Sequence, residues 1–339
     1  MDLREIAVND LLGRIIAFLS VMNGGKTRSL VGELERVRHS SLNFSAYNPK
    51  KNNRDGSYLS VNGEPKILAK PVESILEIKE DIIKIREILS SNQVKYSGNN
   101  GIIEIDGIKY RKNWPLAAVG IDEINLFCLT EKDTKDVADF FKWSKQNGLV
   151  SYLAGLEEDF RHRNFGNFHL IKNMVNHSLY KKPVCKAINS GTQCSKPAMH
   201  TQRLWSLEFA KDLGLESMLG DLELFPYVDK NGDINSKNYL AAPYFDQTVR
   251  IEAEKTKQIV YLPVCEDCAR LPYKKEVFDV FEAIKENQDP AKVLNNDLLT
   301  KFILEYLSND IDGFVKQERG LYVPKRYVHN SLGGFSTIE

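Results

Sequence analysis

The stretch that most limits what this chain can fold into is Ile15 to Val37, IIAFLSVMNGGKTRSLVGELERV. Ile15 to Leu19 form an apolar, β-prone run suited to a strand buried on both faces of a parallel sheet. Asn23, Gly24 and Gly25 supply the backbone freedom that a tight loop needs. Lys26 and Thr27 then open a segment with Leu30, Leu34 and Val37 on one helical face. Strand, glycine-rich loop, Lys-Thr and helix is the layout of a phosphate-binding loop, where loop N–H groups and the helix N-terminus hold phosphate oxygens. In that reading Lys26 reaches the terminal phosphates and the Thr27 hydroxyl ligates magnesium. The pattern departs at one place: Ser20 stands where G-x-x-x-x-G-K-[ST] has its first glycine. An ordinary turn is the competing reading of a bare GKT, and the rest of the chain has to decide between them.

A chain of 339 residues can bury a large core and hold more than one structural unit. Lys plus Arg and Asp plus Glu both number 46, so no global charge attracts nucleic acid or anionic lipid. No apolar run is long enough to cross a membrane, and MDLREIAVND lacks a signal-peptide core. These features predict a soluble, cytoplasmic protein with no membrane or nucleic-acid partner. Five cysteines form no dense disulfide framework, and in a reducing compartment paired cysteines favour metal binding.

Past a short lead-in, Leu42 to Tyr47 reads as a strand, followed by a polar loop with a turn at Asp55-Gly56. Ile75, Ile78, Ile82, Ile85 and Leu89 make a helical stripe within Val72 to Leu89. The stretch 92–112 alternates about Asn99-Asn100-Gly101 and predicts an inserted β-hairpin. Trp114 to Ile124 is a buried strand, Thr134 to Gln146 an amphipathic helix, and Leu149 to Ala154 a further strand. This alternation predicts an α/β fold, a parallel sheet flanked by helices, over residues 1–180. Beyond it the rhythm stops and cysteines appear, giving a second region at 181–275 with a long insertion at 205–255. Within that insertion DKNGDIN starts like a calcium loop, but its glycine comes too early and no closing glutamate follows, so a hairpin turn is expected. Residues 276–339 form a C-terminal extension, with two helices over Phe278 to Leu307 broken near Asp289-Pro290.

Two further constellations carry chemistry. AAVGIDEINLF is an apolar strand ending in acids, which sets Asp122 at the sheet's carboxyl edge beside the phosphate loop of a neighbouring strand. Asp122 would help hold magnesium, and Glu123 would accept a proton from an attacking hydroxyl. A solvated turn is the bland reading of two adjacent acids. Cys265-Glu-Asp-Cys268 has the knuckle spacing that brings two thiolates to one tetrahedral zinc, with Cys185 and Cys194 as a more widely spaced second pair. Cys128 lies in an apolar stretch and reads as a core thiol.

Six segments in one order resemble the zinc-containing thymidine kinase family. VMNGGKTRSL resembles its phosphate loop and NNRDGSYLSVNGEPKILAKPV its next conserved loop. GIDEINLF is similar to G-I-D-E-x-Q-F-F, and AGLEEDFRHRNFGNF to G-L-D-x-D-F-R-x-x-P-F-G. CSKPAMHTQRL and YLPVCEDC are similar to C-x-x-x-A-x-x-T-Q-R-L and Y-x-x-V-C-x-x-C. The resemblance implies a phosphate-loop sheet domain, a small zinc-binding lasso, and ATP-dependent phosphorylation of a deoxypyrimidine nucleoside, thymidine first, at its 5′-hydroxyl. It implies that Ser20, Asn23, Gly24, Gly25, Lys26 and Thr27 bind ATP with Asp122 at magnesium, that Glu123 is the base, and that Arg161 and Arg54 stabilise the transferring phosphoryl group. It implies that Met22, Leu126, Leu156, Phe160 and Phe165 surround the base, with Thr201 and Tyr261 in the lasso that closes over the nucleoside. Plain core packing is the alternative for each apolar position. ATP, Mg2+ and Zn2+ are the cofactors it implies, a nucleoside the small-molecule partner, and a homo-oligomer, dimer or tetramer, the assembly.

The departures bear on substrate choice. Asn125 and Leu126 replace Gln-Phe, Val61-Asn62 replaces His-Asp, and Lys257, Gln258 and Ile259 stand where the family has Gly-Gly-x-Glu. Rival readings are a kinase for a modified pyrimidine nucleoside, a retired kinase acting as a nucleotide-binding regulator, and a nucleic-acid-binding zinc module. Against the last, Arg and Lys are not clustered with aromatics in the cysteine segment.

Overall fold

A computed structural model of the chain describes residues 6–50, 56–61, 64–91, 101–214, 222, 224–229, 231–235, 238–246 and 258–318. Arg54, the start of the expected hairpin insertion at 92–100, and the tail from 319 lie outside the described residues. The chain divides into two compact units, residues 1–157 with 164–183, and residues 158–163 with 184–339.

In the first unit the strands are β1 (Ile15–Ser20), β2 (Asn43–Pro49), β3 (Tyr58–Val61), β4 (Glu64–Leu68), β5 (Lys70–Val72), β6 (Ile102–Ile105), β7 (Ile108–Arg111), β8 (Leu116–Ile121), β9 (Val150–Gly155) and β10 (His177–Lys181). Its helices are α1 (Lys26–His39), α2 (Ile75–Ser90), α3 (Glu131–Gln146) and the single turn α4 (Phe168–Ile171). Six strands form one sheet in the order β10-β1-β9-β8-β2-β5, and every pairing in it is parallel.

Both faces of this sheet are covered, which is why its strands read as unbroken apolar runs. Ile16 and Phe18 of β1 join Leu30, Leu34 and Val37 of α1 in one core, with Leu59 and Ile67 of the β3–β4 hairpin closing it. Ile15, Ala17 and Leu19 face the other way and pack with the isoleucine stripe of α2 and with Val137, Phe140 and Phe141 of α3. Helix α3 begins at Glu131, three residues before its apolar stripe suggests, because Thr130 and Asp133 form a capping box.

Two features of the local layout go beyond the sequence reading. Within the expected insertion, β6 and β7 form a hairpin that turns at Asp106-Gly107, where both residues have positive φ (50° and 81°); Asn99 and Asn100, where the sequence reading puts a turn, lie outside the described residues. That is the backbone a two-residue type I′ connection demands, and Asp-Gly supplies it. The strand carrying Asp122 is also not the neighbour of β1: β9 lies between β1 and β8. Strand order depends on long-range pairing, which hydrophobic periodicity does not encode.

The second unit is built differently. Its strands are β11 (Ile188–Asn189), β12 (Thr192–Gln193), β13 (His200–Ser206), β14 (Tyr227–Val228), β15 (Ile234–Asn235), β16 (Tyr239–Ala241) and β17 (Ile259–Val264). Its helices are α5 (Leu207–Asp212), α6 (Lys274–Lys285), α7 (Pro290–Leu294) and α8 (Asp297–Glu318). DKNGDIN lies in the antiparallel β14–β15 hairpin. The C-terminal region has three helices in place of the expected two, since Asp289 caps α7 and Asn295, at positive φ (48°), ends it before α8. The antiparallel sheet β16-β13-β17 separates two cores. Leu204 faces the cysteines with Leu262 and Val264. Trp205, the next residue, faces Val277, Phe281, Ile303 and Leu307 of the helices.

The β6–β7 hairpin is part of the first unit's core. Tyr110 is 2% exposed, and its hydroxyl meets that of Ser45 at 3.0 Å. Tyr110→Phe should therefore cost about 1 kcal/mol and Tyr110→Ala about 3–5 kcal/mol in denaturant melts of the chain. Equal, negligible losses would show that the hairpin is an appendage.

Candidate functional site

The loop that the sequence reads as phosphate-binding leaves β1 at Ser20 and enters α1 at Lys26. Asn23 (φ 59°) and Gly25 (φ 80°) both take the left-handed conformation, and the Gly24 N–H between them donates to the Val21 carbonyl at 3.1 Å. No side chain caps α1, so the positive end of a 14-residue helix is open to an anion. The serine in place of glycine at position 20 is accommodated by the loop itself. Ser20 Oγ donates to the Lys181 carbonyl at 2.6 Å, and a Cβ on Gly24 would fall 1.8 Å from that oxygen. Gly24 has no room for a side chain, both against Ser20 and against the Val21 carbonyl, which the same Cβ would approach to 2.9 Å.

Lys26 is only 6% exposed, and its ammonium donates to the Val21 carbonyl at 3.1 Å, within the loop. Thr27 Oγ1 donates to Asp122 Oδ2 at 2.9 Å, spanning from the start of α1 to the end of β8. Asp122 Oδ1 accepts from the Glu123 backbone N–H at 3.0 Å. Burial, then the Glu123 charge beside it, pushes the Asp122 carboxyl up to about 7, against the opposing pull of Thr27 and Lys26. An ionised Asp122 is thus costly here without a cation nearby. Glu123 is half-buried and holds φ 48°, ψ 45°, a conformation uncommon for a residue with a Cβ, as the chain turns from β8 into a 3-10 turn over Ile124–Phe127.

One neighbouring side chain carries no signal in the sequence. Asn48, near the end of β2, is 6% exposed; its Nδ2 donates to the Gly56 carbonyl at 2.9 Å and its Oδ1 is buried with no partner among the described residues. A buried acceptor left unmade costs about 1–3 kcal/mol. The Thr27 hydroxyl and the Asp122 carboxylate, 2.9 Å apart, are hard oxygen donors of the kind that suit magnesium.

The remaining expected positions fall in both units. In the first, Met22, Leu126 and Phe165 are half-buried and Leu156 is buried. Asn125 Oδ1 accepts from the Leu156 N–H at 3.1 Å, which ties the acid turn to the end of β9. In the second, Thr201 lies opposite Pro263, and Arg203 opposite Tyr261, in the β13–β17 ladder. Phe160 lies between two guanidinium groups, Arg161 at 4.4 Å and Arg203 at 4.3 Å from its ring. Arg161 donates to the Tyr244 carbonyl at 2.7 Å, to Asp159 at 3.1 Å and to the Asp246 carbonyl. Its cation is thus bound up within its own unit. Asp246, 4% exposed, is paired with Arg203 (2.9 Å) and with the Trp205 indole (2.8 Å), which compensates a charge that would otherwise be costly to bury.

Cys185, Cys194, Cys265 and Cys268 bring their sulfurs within 4.8 Å of one another. The Cys194–Cys265 separation is 3.8 Å, and two sulfurs each about 2.3 Å from a tetrahedral zinc stand about 3.8 Å apart. Asn189 Nδ2 donates to Cys268 Sγ at 3.1 Å, a contact that supports the thiolate and lies outside the four ligands. Burial pushes the Cys268 thiol up to about 12, so without a metal it stays protonated at neutral pH. The four thiols form a group able to hold a metal such as zinc. Cys128 is buried in the first unit's core, away from this set.

No family model matches the chain. Among solved structures it is similar to the crystal structure of the flagellar accessory protein FlaH from Methanocaldococcus jannaschii, at 12% identity over 50% of this chain and 71% of that one, with a TM-score of 0.29. So slight a likeness carries no argument about the site. Among the described residues, no helix is long and apolar enough to cross a membrane.

Purified chain should carry one zinc, read by elemental mass spectrometry. Cys265→Ser should lose it and Cys128→Ser should retain it; equal metal content in all three would remove the cluster as its site.

Proposed function

We propose that the chain is an ATP- and magnesium-dependent phosphotransferase acting on the 5′-hydroxyl of a deoxypyrimidine nucleoside, with thymidine the first substrate to test. The observation that carries the phosphotransferase reading is the Thr27–Asp122 hydrogen bond, which joins the phosphate loop to the acid-bearing strand end. The nucleoside rests on the six resembling segments together with the four-thiol cluster.

In this account the loop N–H groups and the α1 N-terminus hold the phosphates, and Lys26 exchanges the Val21 carbonyl for a phosphate oxygen. Thr27 and Asp122 would hold magnesium, which supplies charge neutralisation to the β- and γ-phosphates when bound. Glu123, next in sequence to Asp122, takes the proton from the attacking hydroxyl. Zinc at the four cysteines has a structural role, closing a region of short strands with a metal whose binding contributes to folding.

A second reading, a nucleotide-binding regulator without turnover, is favoured by one observation. Arg161, the described arginine expected to stabilise the phosphoryl group, spends its guanidinium on Asp159 and two carbonyls.

Labelled ATP offered with each natural nucleoside separates the readings: 5′-monophosphate from thymidine or deoxyuridine alone supports the kinase, and ATP binding without any product supports the regulator. Glu123→Gln should keep ATP affinity and lower kcat by about 10²–10⁴, whereas Lys26→Ala should lose both. Unchanged turnover in Glu123→Gln would remove that residue from the mechanism.

A further inference from the structure

The unpartnered oxygen of Asn48 has a defined place in the sheet. Strands β2 and β8 pair in parallel with Ala46 opposite Gly120 and Tyr47 opposite Ile121, and the Asp122 N–H extends the ladder to the Tyr47 carbonyl at 3.0 Å. Asn48 is therefore level with Asp122, one strand over. Side chains alternate along a strand. Ala46 belongs to the α1 core, and a Cβ on Gly120 would touch Leu34 and Leu30 of α1. Two residues further on, Asn48 and Asp122 both point to that same face, and Thr27 at the start of α1 meets Asp122 there.

The orientation of the Asn48 amide follows from chemistry. A carbonyl can only accept, so the atom facing the Gly56 carbonyl at 2.9 Å must be the amide nitrogen. The other atom, buried and without a partner, is then the oxygen. A buried acceptor held in one orientation, on the face and at the level of the strand end that carries Asp122, suits an O–H donor that arrives with a ligand. Magnesium characteristically keeps several of its waters when it binds nucleotide phosphates.

We propose that Asn48 is a magnesium-positioning residue, whose Oδ1 accepts a hydrogen bond from a water carried by the cation that Thr27 and Asp122 would hold. This rests on the nucleotide-binding reading of the site and assigns to it a residue from a third strand end. Asn48 itself makes no contact with the reacting atoms; its effect is on how much magnesium tightens the binding of ATP.

The test is equilibrium binding of ATP to the full chain, with magnesium and with EDTA, for wild type, Asn48→Leu and Asn48→Asp. Thermal melts of the ligand-free proteins report folding. Wild type should bind ATP more tightly with magnesium. Asn48→Leu should leave affinity in EDTA unchanged and lose roughly fivefold to tenfold of the magnesium-dependent gain, while Asn48→Asp, which keeps an acceptor, should retain that gain. Three results would overturn the inference alone: an Asn48→Leu gain equal to wild type, equal losses in magnesium and EDTA, or equal losses of the gain in both variants. A wild-type chain that binds ATP no more tightly with magnesium overturns the inference together with the reading beneath it.

Discussion

The hydrogen bond between Thr27 and Asp122 is the contact on which the proposed chemistry of the first unit depends. It crosses an intervening strand, because β9 separates β1 from β8, and it ties the first turn of α1 to the acid turn. It forms because the sheet is covered on both faces. The α1 core holds the helix against β8 through Leu30 and Leu34, and Gly120 lets that helix approach where any Cβ would clash. The position of Thr27 is thus a consequence of apolar packing two turns away. The raised Asp122 carboxyl has the same origin, since the packing that fixes it also excludes the water that would stabilise its charge.

Buried charges in the second unit are matched from within. In the second unit, the buried Asp246 is matched by Arg203 and Trp205, and Arg161 by two carbonyls and Asp159. Those side chains are satisfied from within and serve to fix the unit's interior. Other polar atoms are not matched in this way: the Asn48 oxygen, the Asn125 amide nitrogen and the Tyr152 hydroxyl are buried with no hydrogen-bond partner among the described residues, and the four clustered thiols are unbridged and able to hold a metal.

Much of this architecture is legible in the residues. β1 and β8 announce themselves as short apolar runs, α2 by its isoleucine stripe, and the cysteine pairs by their spacing. What escapes is whatever depends on partners far away in sequence. The Asp106-Gly107 turn of the β6–β7 hairpin, with positive φ at both positions, is a second turn signal that the sequence reading passes over. The order of strands places β9 where a sequence reading puts Asp122 directly beside the loop. Asn48 is one polar residue in a polar stretch until Gly56 fixes its amide and β8 shows which face it occupies. Arg161 stands in a segment that resembles a functional motif, yet its surroundings in space hold it structurally.

If Thr27 and Asp122 act as one unit on a bound magnesium nucleotide, their contributions to its affinity cannot be independent. The most direct measurement is a double-mutant cycle of Thr27→Ala, Asp122→Ala and the pair, read as the dissociation constant for magnesium-ATP. The account predicts that either single change loses most of the magnesium-dependent affinity and that the double change loses little more. Losses that simply add, or single variants that bind as wild type does, would contradict it.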